Sequence, residues 1–361
     1  MARSGPCDRE VFGTNIFDMT AALPPSSLSF QLSRLATSYW VPQAIYSAAV
    51  LGIADQLAGR SQTSAELGNA LDVHPQSLHR LLRALVTLEL CTLADDDRFA
   101  LTALGECLRS DTRDSVRAWV LMVGGEGCWT SWGRLAECVR TGRSVPALEG
   151  RDSWVRTTDD PAGSATFNES MAQLTRQVAT AVAVAYDFAG LGTIADMGGG
   201  YGALLPPILK AHPGLRGVVF DLPQCRDGAR DLAAKAGMTE RLEFAGGSFF
   251  TDPLPRADAY LVKSVLHDWD DERGVAILRA ISTAMGPSGR VLIVEPLLPD
   301  RPGTSPFDAV MAHTDLNMLA VTGGRERPVT DFRALVERAG LRVEAVHATS
   351  EGFSIIDARK G

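Results

Sequence analysis

The segment VKSVLHDWDDE, residues 262–272, contains residue types that could carry out proton transfer. One histidine, His267, ends an apolar run, and four carboxylates follow it within five residues. Histidine titrates near physiological pH, so this side chain could be a catalytic base, a metal ligand, or ordinary packing at a strand end. The metal interpretation is the weaker one, because the segment lacks the glycine of a calcium loop and a second histidine at helical spacing.

The segment IADMGGGYGA, residues 194–203, could bind a cofactor. Its glycines allow a tight turn and a close approach of the backbone to a ligand. Gly198, Gly200 and Ala203 have the spacing of a dinucleotide-binding fingerprint, and Asp221 lies about 20 residues further on, after the next predicted strand. A carboxylate there can accept both hydrogen bonds of a ribose diol. The pattern therefore predicts an adenosine-containing cofactor.

Two cofactors fit this pattern, NAD and S-adenosylmethionine. Asp196 precedes the glycines, where its carboxylate could meet the ammonium group of a methionine. The position of the loop after a long helical region, and the histidine segment that follows it, also favour S-adenosylmethionine. On the glycines alone NAD stays open, because a single fingerprint has a high rate of false matches.

Both segments lie where short apolar runs alternate with helical patterns, from residue 189 to the C-terminus. Such alternation predicts an α/β fold, a parallel sheet with helices on both faces. His267 ends the predicted strand ADAYLVKSVL and Glu295 ends RVLIVE, so both should lie at the carboxyl edge, where open α/β sheets bind ligands. A carboxylate bonded to the imidazole would orient it and raise its basicity. Asp268 and Asp270 are expected to begin the next helix.

The N-terminal region is predicted to be helical. A helical pattern interrupted at Pro42 leads into further helices and a short hairpin around the DDD tract. Thr63 or Ser64 should cap one helix, and His74 with the following proline should begin the next. This order of elements is typical of a winged helix. At the other end of the chain, the runs LRVEAVHA and FSIIDARK should form an antiparallel edge of the sheet.

A winged helix raises the question of DNA binding. The candidate recognition helix, QSLHRLLRALVTLEL, offers Arg80 and Arg83, but its wide leucine face favours burial, for instance against a second subunit. The formal net charge of −8 also argues against a nucleic-acid partner, which usually needs a basic face.

Composition excludes other classes. The length of 361 residues suggests two domains, and the hydrophobic content of 45% with 22% charged residues is that of a soluble globular protein. No run approaches the ~18 apolar residues of a membrane span, and the N-terminus MARSGPCDREVFG lacks the apolar core of a secretory signal. Six scattered cysteines without a CxxC motif indicate reduced thiols in a cytoplasmic protein.

The motifs DMGGGYG, FDLP, ADAYLVKSVLHDWDDE, VEPLLP and HTDLNMLAVTGGRER occur in this order. With them the chain resembles the S-adenosylmethionine-dependent O-methyltransferases of plants (caffeic acid and flavonoid enzymes) and of bacterial natural-product pathways. The resemblance covers nearly the whole length. It implies an all-α, winged-helix dimerisation domain over residues 1–115, a helical linker over 116–188 and a Rossmann-like seven-stranded domain over 189–361. It also implies a homodimer without membrane or nucleic-acid partners.

The resemblance implies roles for individual positions. His267 matches the catalytic base of the family, and Glu295 and Glu326 match the residues that flank it. With Asp196, the implied cofactor contacts are Gly198, Gly199, Gly200, Asp221, Leu222, Ser248, Phe249 and Lys263. The implied acceptor contacts are Phe167, Met171, Asp268, Asp315, Asn317 and Met318. No metal is expected.

One position departs from the family pattern. The adenine-side turn is usually Gly-Asp-Phe-Phe, and here Ser248 replaces the aspartate. A serine can still bond to an adenine edge but carries no charge, so we expect the same cofactor with slightly weaker binding.

Several aromatic and sulfur side chains could wall a flat aromatic acceptor: Trp119, Trp129, Trp132, Trp154, Met122, Met171, Met311 and Met318.

The expected activity is methyl transfer from S-adenosylmethionine to a phenolic hydroxyl of an aromatic small molecule, a bacterial natural-product intermediate. Two rivals remain. Some relatives keep the cofactor but catalyse hydroxylation or decarboxylation, and the intact His267 argues against that chemistry. A ligand-responsive DNA-binding regulator is the second rival, and the acidic charge balance argues against it.

Overall fold

A computed structural model of the chain describes residues 27–151 and 160–361. The sequence predicts a loosely ordered leader over residues 1 to about 27 that ends in LPPSS. Almost all of this segment lies outside the described residues, and so does Trp154. Within the described ranges, no helix has the length and apolar character needed to cross a membrane.

The N-terminal region consists of short helices and one small antiparallel sheet. The helices are α1 (Leu28–Thr37), α2 (Trp40–Val50), α3 (Ile53–Leu57), α4 (Ser64–Leu71), α5 (Pro75–Thr87) and α6 (Ala103–Glu106). The strands are β1 (Gln62–Thr63), β2 (Cys91–Leu93) and β3 (Arg98–Leu101), in the order β1-β3-β2. The break predicted at Pro42 lies instead at residues 38–39, because Pro42 falls in the first turn of α2, where its missing N–H leaves no helical bond unmade.

Capping residues explain where α4 and α5 begin. Thr63 accepts the N–H of Glu66, and its own N–H donates to the Glu66 carboxylate, forming a capping box. His74 accepts the N–H of Ser77, with a proline at the first position of α5. These contacts confirm the predicted helix starts.

The leucine face of α5 is buried within its own region. Leu78, Leu82 and Leu85 pack around Phe99 of β3, and each is at most 3% exposed. The expected burial is therefore confirmed, but it occurs inside the chain.

The next segment is a set of helices. They are α7 (Arg117–Gly124), α8 (Glu126–Gly133), α9 (Leu135–Thr141), α10 (Val145–Leu148) and α11 (Pro161–Ala185). Gln173 of α11 accepts the backbone N–H groups of Ala118 and Trp119 at 3.0 and 3.3 Å. Because the first N–H groups of a helix have no partner within it, this buried amide caps α7 and fixes it to α11.

The C-terminal region contains a seven-stranded sheet flanked by helices. Its strands are β4 (Thr193–Met197), β5 (Arg216–Asp221), β6 (Leu242–Gly246), β7 (Ala259–Lys263), β8 (Arg290–Pro296), β9 (Leu341–Ala348) and β10 (Phe353–Lys360). Its helices are α12 (Leu205–Ala211), α13 (Arg226–Lys235), α14 (Asp271–Ala284), α15 (Pro306–Val321) and α16 (Val329–Arg338). The predicted α/β fold is confirmed.

The strand order is β6-β5-β4-β7-β8-β10-β9, with β10 antiparallel to both of its neighbours. The last two strands pair as predicted, but of these two only β9 lies at an edge of the sheet, because β10 is inserted beside β8. The order reverses at β4, since β5 and β6 lie on one side of it and β7 and β8 on the other. Ligands bind at such switch points, outside the carboxyl ends of the strands.

Apolar side chains cover both faces of this sheet. Tyr260, Val262 and Ile293 belong to one buried cluster, and Leu261 and Leu292 belong to another on the opposite face. Burial on both faces explains why these strands are continuous apolar runs. The rigid sheet brings the ends of β4, β5, β7 and β8 to one edge.

Candidate active site

His267 lies beyond the end of its strand. Strand β7 ends at Lys263, and Ser264 adopts a left-handed conformation with φ 50°. A 3-10 turn over Leu266–Asp268 then carries the histidine. The prediction that His267 ends the strand was wrong, because the φ of Ser264 breaks the extended conformation four residues earlier in a sequence that stays apolar.

The helix after His267 begins later than its first carboxylate. Asp270 is the N-cap of α14, and its side chain accepts the N–H of Arg273 at 2.8 Å. Asp268 does not begin this helix, since it ends the 3-10 turn instead. The prediction for Asp270 is confirmed, and the prediction for Asp268 was wrong.

The imidazole of His267 has one close carboxylate partner. Its Nδ1 lies 2.9 Å from Oε1 of Glu326 and 3.8 Å from Oε2 of Glu295. Its Nε2 lies 3.9 Å from Oδ1 of Asp268, beyond hydrogen-bond distance. A carboxylate can only accept, so Nδ1 carries the proton that faces Glu326, and the Nε2 lone pair is left to take up a proton.

Glu295 lies at the end of its strand, as predicted, but it makes no hydrogen bond to the imidazole. It ends the apolar run of β8, its side chain is fully buried, and its Oε1 accepts the N–H of Val265 at 3.1 Å. The hydrogen bond that the sequence predicted between Glu295 and the imidazole is made by Glu326. Glu295 therefore anchors the turn that carries His267 and contributes negative charge.

Burial and charge oppose each other at this site. Burial acts to lower the pKa of His267, but the charges of Glu295 and Asp268 and the hydrogen bond to Glu326 raise it to about 10. Burial raises the pKa of Glu295 to about 7 and that of Asp268 to about 6. Because acidic groups outnumber basic ones here, the site favours a cationic group.

The glycine loop follows β4 in a backbone conformation that suits glycine. Gly198 and Gly200 have φ values of 69° and 56°. A Cβ at Gly198 would lie 2.8 Å from Cγ2 of Val265 and 3.3 Å from Cζ of Phe249. The loop thus passes close to both the histidine turn and the turn after β6.

Asp221 is fixed at the end of β5 by two backbone groups. Its Oδ2 accepts the N–H of Gly200 at 2.7 Å, and its Oδ1 accepts the N–H of Leu222 at 2.6 Å. Each carboxylate oxygen has a second lone pair, so both can still accept from a diol. Asp221, the predicted contact of the ribose, is therefore held against the glycine loop.

Asp196 is a buried charge beneath the loop, and the half-buried Lys263 lies near it. A Cβ at Gly199 would lie 2.5 Å from Oδ2 of Asp196. Burial raises the pKa of Asp196 to about 7, although the charge of Lys263 lowers it. Burial also lowers the pKa of Lys263, against the charges of Glu295 and Asp196. The charges of the two side chains therefore act on each other, and both were predicted from sequence as cofactor contacts.

The serine that replaces an aspartate belongs to a compact turn. The Ser248 N–H donates to Oδ2 of Asp252 at 2.9 Å, and its hydroxyl accepts the N–H of Phe250 at 3.3 Å. The Phe249 ring packs 5.7 Å from that of Phe220, between centroids. This turn retains its shape through Asp252 and the serine hydroxyl.

Five of the six predicted acceptor residues lie on α11 and α15, and the sixth, Asp268, lies in the 3-10 turn that carries His267. Asp315 accepts the backbone N–H of Glu326 at 2.9 Å, and Asn317 accepts the indole N–H of Trp132 at 2.9 Å. Met318 is 8% exposed. Phe167 and Met171 are half-buried on α11. Asp315 is thus brought to the histidine site, and Asn317 joins α15 to α8.

Two polar residues near the loop were missed by the sequence analysis. The buried Cys225 thiol donates to Oδ1 of Asn168 at 3.5 Å and lies close to the Asp221 carboxylate. Burial raises the pKa of this thiol, so it stays a donor. Asn168 follows Phe167, a predicted acceptor residue, and Cys225 lies two positions after the motif FDLP, so these positions were the available signal.

Within the described residues, one group could also hold a metal ion. His267, Glu295 and Glu326 offer three ligand atoms that all lie within 4.8 Å of one another. Of these three, only His267 was considered as a ligand from sequence, where Asp268, Asp270 and Asp271 were the other candidates.

Comparison with known proteins agrees with this geometry. Residues 33–111 match the O-methyltransferase dimerisation domain, and residues 132–342 match the O-methyltransferase domain. The mitomycin biosynthesis 6-O-methyltransferase of Streptomyces lavendulae is 39% identical over 307 residues, which cover 84% of this chain and 86% of that protein. The phenazine O-methyltransferase PhzM of Lysobacter antibioticus is 38% identical over 94% of this chain and 97% of its own.

A solved structure shows what the fold can bind. The O-methyltransferase NcsB1 from neocarzinostatin biosynthesis, in complex with S-adenosylmethionine and 2-hydroxy-5-methyl naphthoic acid, is 37% identical. It superposes with a TM-score of 0.77 over 91% of this chain and 98% of that one. The chain described here therefore belongs to the family of S-adenosylmethionine-dependent O-methyltransferases.

Proposed function

We propose that this enzyme methylates a phenolic hydroxyl of an aromatic natural-product intermediate, with His267 as the general base. The observation that carries the proposal is the short contact between Nδ1 of His267 and the buried carboxylate of Glu326. It leaves the Nε2 lone pair available for a proton. The cytoplasmic homodimer expected from the sequence is part of the same proposal.

The chemistry requires a base but no activation of the methyl group. S-Adenosylmethionine, when bound, supplies a methyl group on a positively charged sulfur. The phenol oxygen forms a bond to that carbon as the carbon–sulfur bond breaks, and Nε2 of His267 takes the phenol proton. Glu326 then stabilises the imidazolium. A phenol has a pKa near 10, and general-base help of this kind contributes about 10²–10⁴-fold.

The acidic environment of His267 suits a cationic donor. The carboxylates of Glu295, Glu326 and Asp268 surround the imidazole, and the basic side chain of Lys263 lies near them. In the absence of another cation these carboxylates hold the imidazole protonated, because they raise its pKa to about 10. A positive charge in the neighbouring donor site lowers this pKa, which makes the base available when both substrates are bound.

The donor contacts in the proposal follow the loop geometry. Asp221 would accept the ribose hydroxyls, and Asp196 with Lys263 would meet the methionine ammonium and carboxylate groups. Leu222 and Phe249 would lie against the adenine, and the hydroxyl of Ser248 would bond to its edge. The residues fit this donor because a Cβ at Gly198 would lie 2.8 Å from Val265 and one at Gly199 would lie 2.5 Å from Asp196, so only glycines let the loop backbone pass this close to the groups that would surround the donor.

The acceptor class rests on the relatives and on the helices near the base. PhzM is named for a phenazine, and NcsB1 was solved with a naphthoic acid. Half-buried apolar side chains at Phe167 and Met171 and the buried Met318 suit a flat aromatic ring. The proposal places the acceptor between α11 and α15.

We propose that the transfer proceeds without a metal, although three side chains could hold one. Nδ1 of His267 already donates to Glu326, and a cation there would displace this proton. Turnover after dialysis against a chelator should equal that of the untreated enzyme. Loss of turnover that Zn²⁺ or Mg²⁺ restores would contradict this.

The substitution His267→Gln tests the proposal. We expect turnover to fall by about 10²–10⁴-fold, with binding of S-adenosylhomocysteine unchanged in calorimetry. Product mass should show one added methyl group for the unaltered enzyme. Unchanged turnover in the variant would remove His267 from the mechanism, and an added oxygen or lost carbon dioxide would favour the hydroxylase or decarboxylase relatives.

A further inference from the structure

Arg327 is a buried cation that bonds to both sides of the histidine turn. Its side chain is fully buried and makes five hydrogen bonds. Nη1 donates to the carbonyl of Leu266 at 2.7 Å, and Nη2 donates to the carbonyl of Trp269 at 2.8 Å. Nη2 and Nε also donate to Oδ1 of Asp271, at 2.8 and 3.2 Å. These carbonyls belong to the residue before His267 and to the second residue after it.

The backbone that leads to Arg327 fits under the same turn. The N–H of Arg325 donates to the carbonyl of His267 at 2.8 Å. A Cβ at Gly324 would overlap that carbonyl oxygen, so only a glycine allows this approach. Residues 324–327, here called the clamp segment, therefore contact His267 through its own carbonyl as well as through its neighbours.

The clamp segment also carries the partner of the imidazole. Glu326 lies between the two residues that hold the turn, and its Oε1 is 2.9 Å from Nδ1 of His267. Its own N–H donates to Asp315 of α15, and the carbonyl of Arg327 accepts the N–H of Leu298 after β8. The clamp segment is thus tied to two elements, and it fixes the imidazole and its carboxylate relative to each other.

We propose that Arg327 is a positioning residue for methyl transfer, which acts by holding the turn of His267 against the clamp segment. This proposal rests on the role of His267 as the base. A planar guanidinium can donate in several fixed directions at once, to two carbonyls and a carboxylate, whereas a lysine ammonium cannot reproduce that fork. The orientation of Nε2 toward the acceptor therefore depends on this buried side chain together with the contact between His267 and Glu326.

The test compares Arg327→Met and Arg327→Lys in the unaltered enzyme and in a His267→Ala background. Because a misplacement of about 1 Å can cost roughly 10²-fold in rate, we expect Arg327→Met to lower kcat by about 10–10²-fold. The acceptor KM and the calorimetric affinity for S-adenosylhomocysteine should change by less than about threefold, and Arg327→Lys should restore part of kcat. In the His267→Ala background Arg327→Met should cause less than about a twofold further loss.

A second variant and a control keep the test independent of folding. Gly324→Ala pushes on the His267 carbonyl without removing a charge, and it should show the same dependence on His267 if Arg327→Met is too unstable to assay. The control is Arg338→Met. It removes a partly exposed guanidinium that bonds at 2.5 Å to Glu272, which lies beside Asp271 on α14. This variant should leave kcat unchanged.

The outcomes separate the two proposals. Equal losses from Arg327→Met or Gly324→Ala in both backgrounds, or a loss of S-adenosylhomocysteine affinity as large as the loss of kcat, would overturn the positioning role alone. Full turnover in His267→Ala itself would overturn the proposed function. Loss in the unaltered background only would support both.

Discussion

Nδ1 of His267 lies 2.9 Å from Oε1 of Glu326, although the two residues are 59 positions apart in the chain. Both side chains are enclosed, with 14% and 0% of their surface exposed. A charged pair in such surroundings interacts more strongly than the same pair in water, because solvent screens it less. The proposed chemistry of the enzyme depends on this contact.

The first prediction concerns the charge of Glu326. Glu326→Gln keeps the size of the side chain but removes the negative charge, so the pKa of His267 should fall and the imidazolium should be less stabilised. We expect kcat to drop by about 10–10²-fold and the acidic limb of its pH profile to move to lower pH. Steady-state rates across pH measure both effects.

A matched control for that substitution is Glu344→Gln, which removes a carboxylate paired with Arg342 on β9. This variant should retain the rate and the profile of the unaltered enzyme. An acidic limb that stays in place in Glu326→Gln would mean that His267 does not control it.

The second prediction compares two pH profiles. His267 must be neutral to accept a proton, so the rate should rise as pH increases through its pKa. In the free enzyme burial acts to lower this pKa, but Glu295, Asp268 and Glu326 raise it to about 10. The charged side chain of Lys263 also lies near this group. A bound sulfonium lowers it, so the limb of kcat should lie at lower pH than the limb of kcat/KM for the donor. Coincident limbs would show that the donor charge does not reach the base.

The third prediction concerns the glycine loop. Gly198→Ala places a Cβ 2.8 Å from Val265 at a φ of 69°, so the loop must shift. We expect the affinity for S-adenosylhomocysteine, measured by calorimetry, to fall at least about tenfold. Gly190→Ala is the control, because Gly190 has a φ of 79° but no atom within 4 Å of its Cβ position.

The control should lose roughly 1 kcal/mol of stability from the left-handed backbone and keep its affinity. Thermal unfolding of both variants separates strain from the effect on binding. Equal loss of affinity in the two variants would mean that backbone strain explains the effect, without the contact to Val265.

The fourth prediction concerns Asp221. Its two oxygens each accept a backbone N–H, so Asp221→Asn must turn its NH₂ group toward one of these donors. We expect the affinity for S-adenosylhomocysteine to fall at least about tenfold, as expected when a bond to a charged group is lost. In Asp258 a single oxygen, Oδ2, accepts both the Gly192 and the Thr193 N–H groups.

Asp258→Asn can therefore keep both bonds through its remaining carbonyl oxygen. This control should keep its affinity and its unfolding temperature. If Asp221→Asn bound as tightly as the control, the carboxylate at the end of β5 would have no part in holding the donor.

Local features of the fold follow from the sequence because their causes are local. The capping box of Thr63 and Glu66 and the proline after His74 fix two helix starts within a few residues. The alternation of apolar runs and helical patterns suffices for the parallel strands, since buried strands and amphipathic helices have different periods. The glycine loop and Asp221 were located for the same reason.

The prediction failed where a single backbone angle decided the outcome. Residues 259–266 form one apolar run with a lysine and a serine inside it, and nothing in that pattern marks the left-handed φ at Ser264. That angle ends β7 at Lys263 and moves His267 into a turn. The two final strands show a related limit, because their proximity in sequence predicts pairing but not the insertion of β10 beside β8.

The sequence by itself determined the fold class and the family, and it predicted the residues that are proposed to hold the donor and take up a proton. Only the tertiary structure decided that Glu326, and not Glu295, bonds to His267. It also decided that Arg327 holds the turn that carries His267. The physical reason is distance along the chain. Contacts between residues about 60 positions apart depend on how loops pack after the sheet has formed, and neither residue type nor periodicity records that packing.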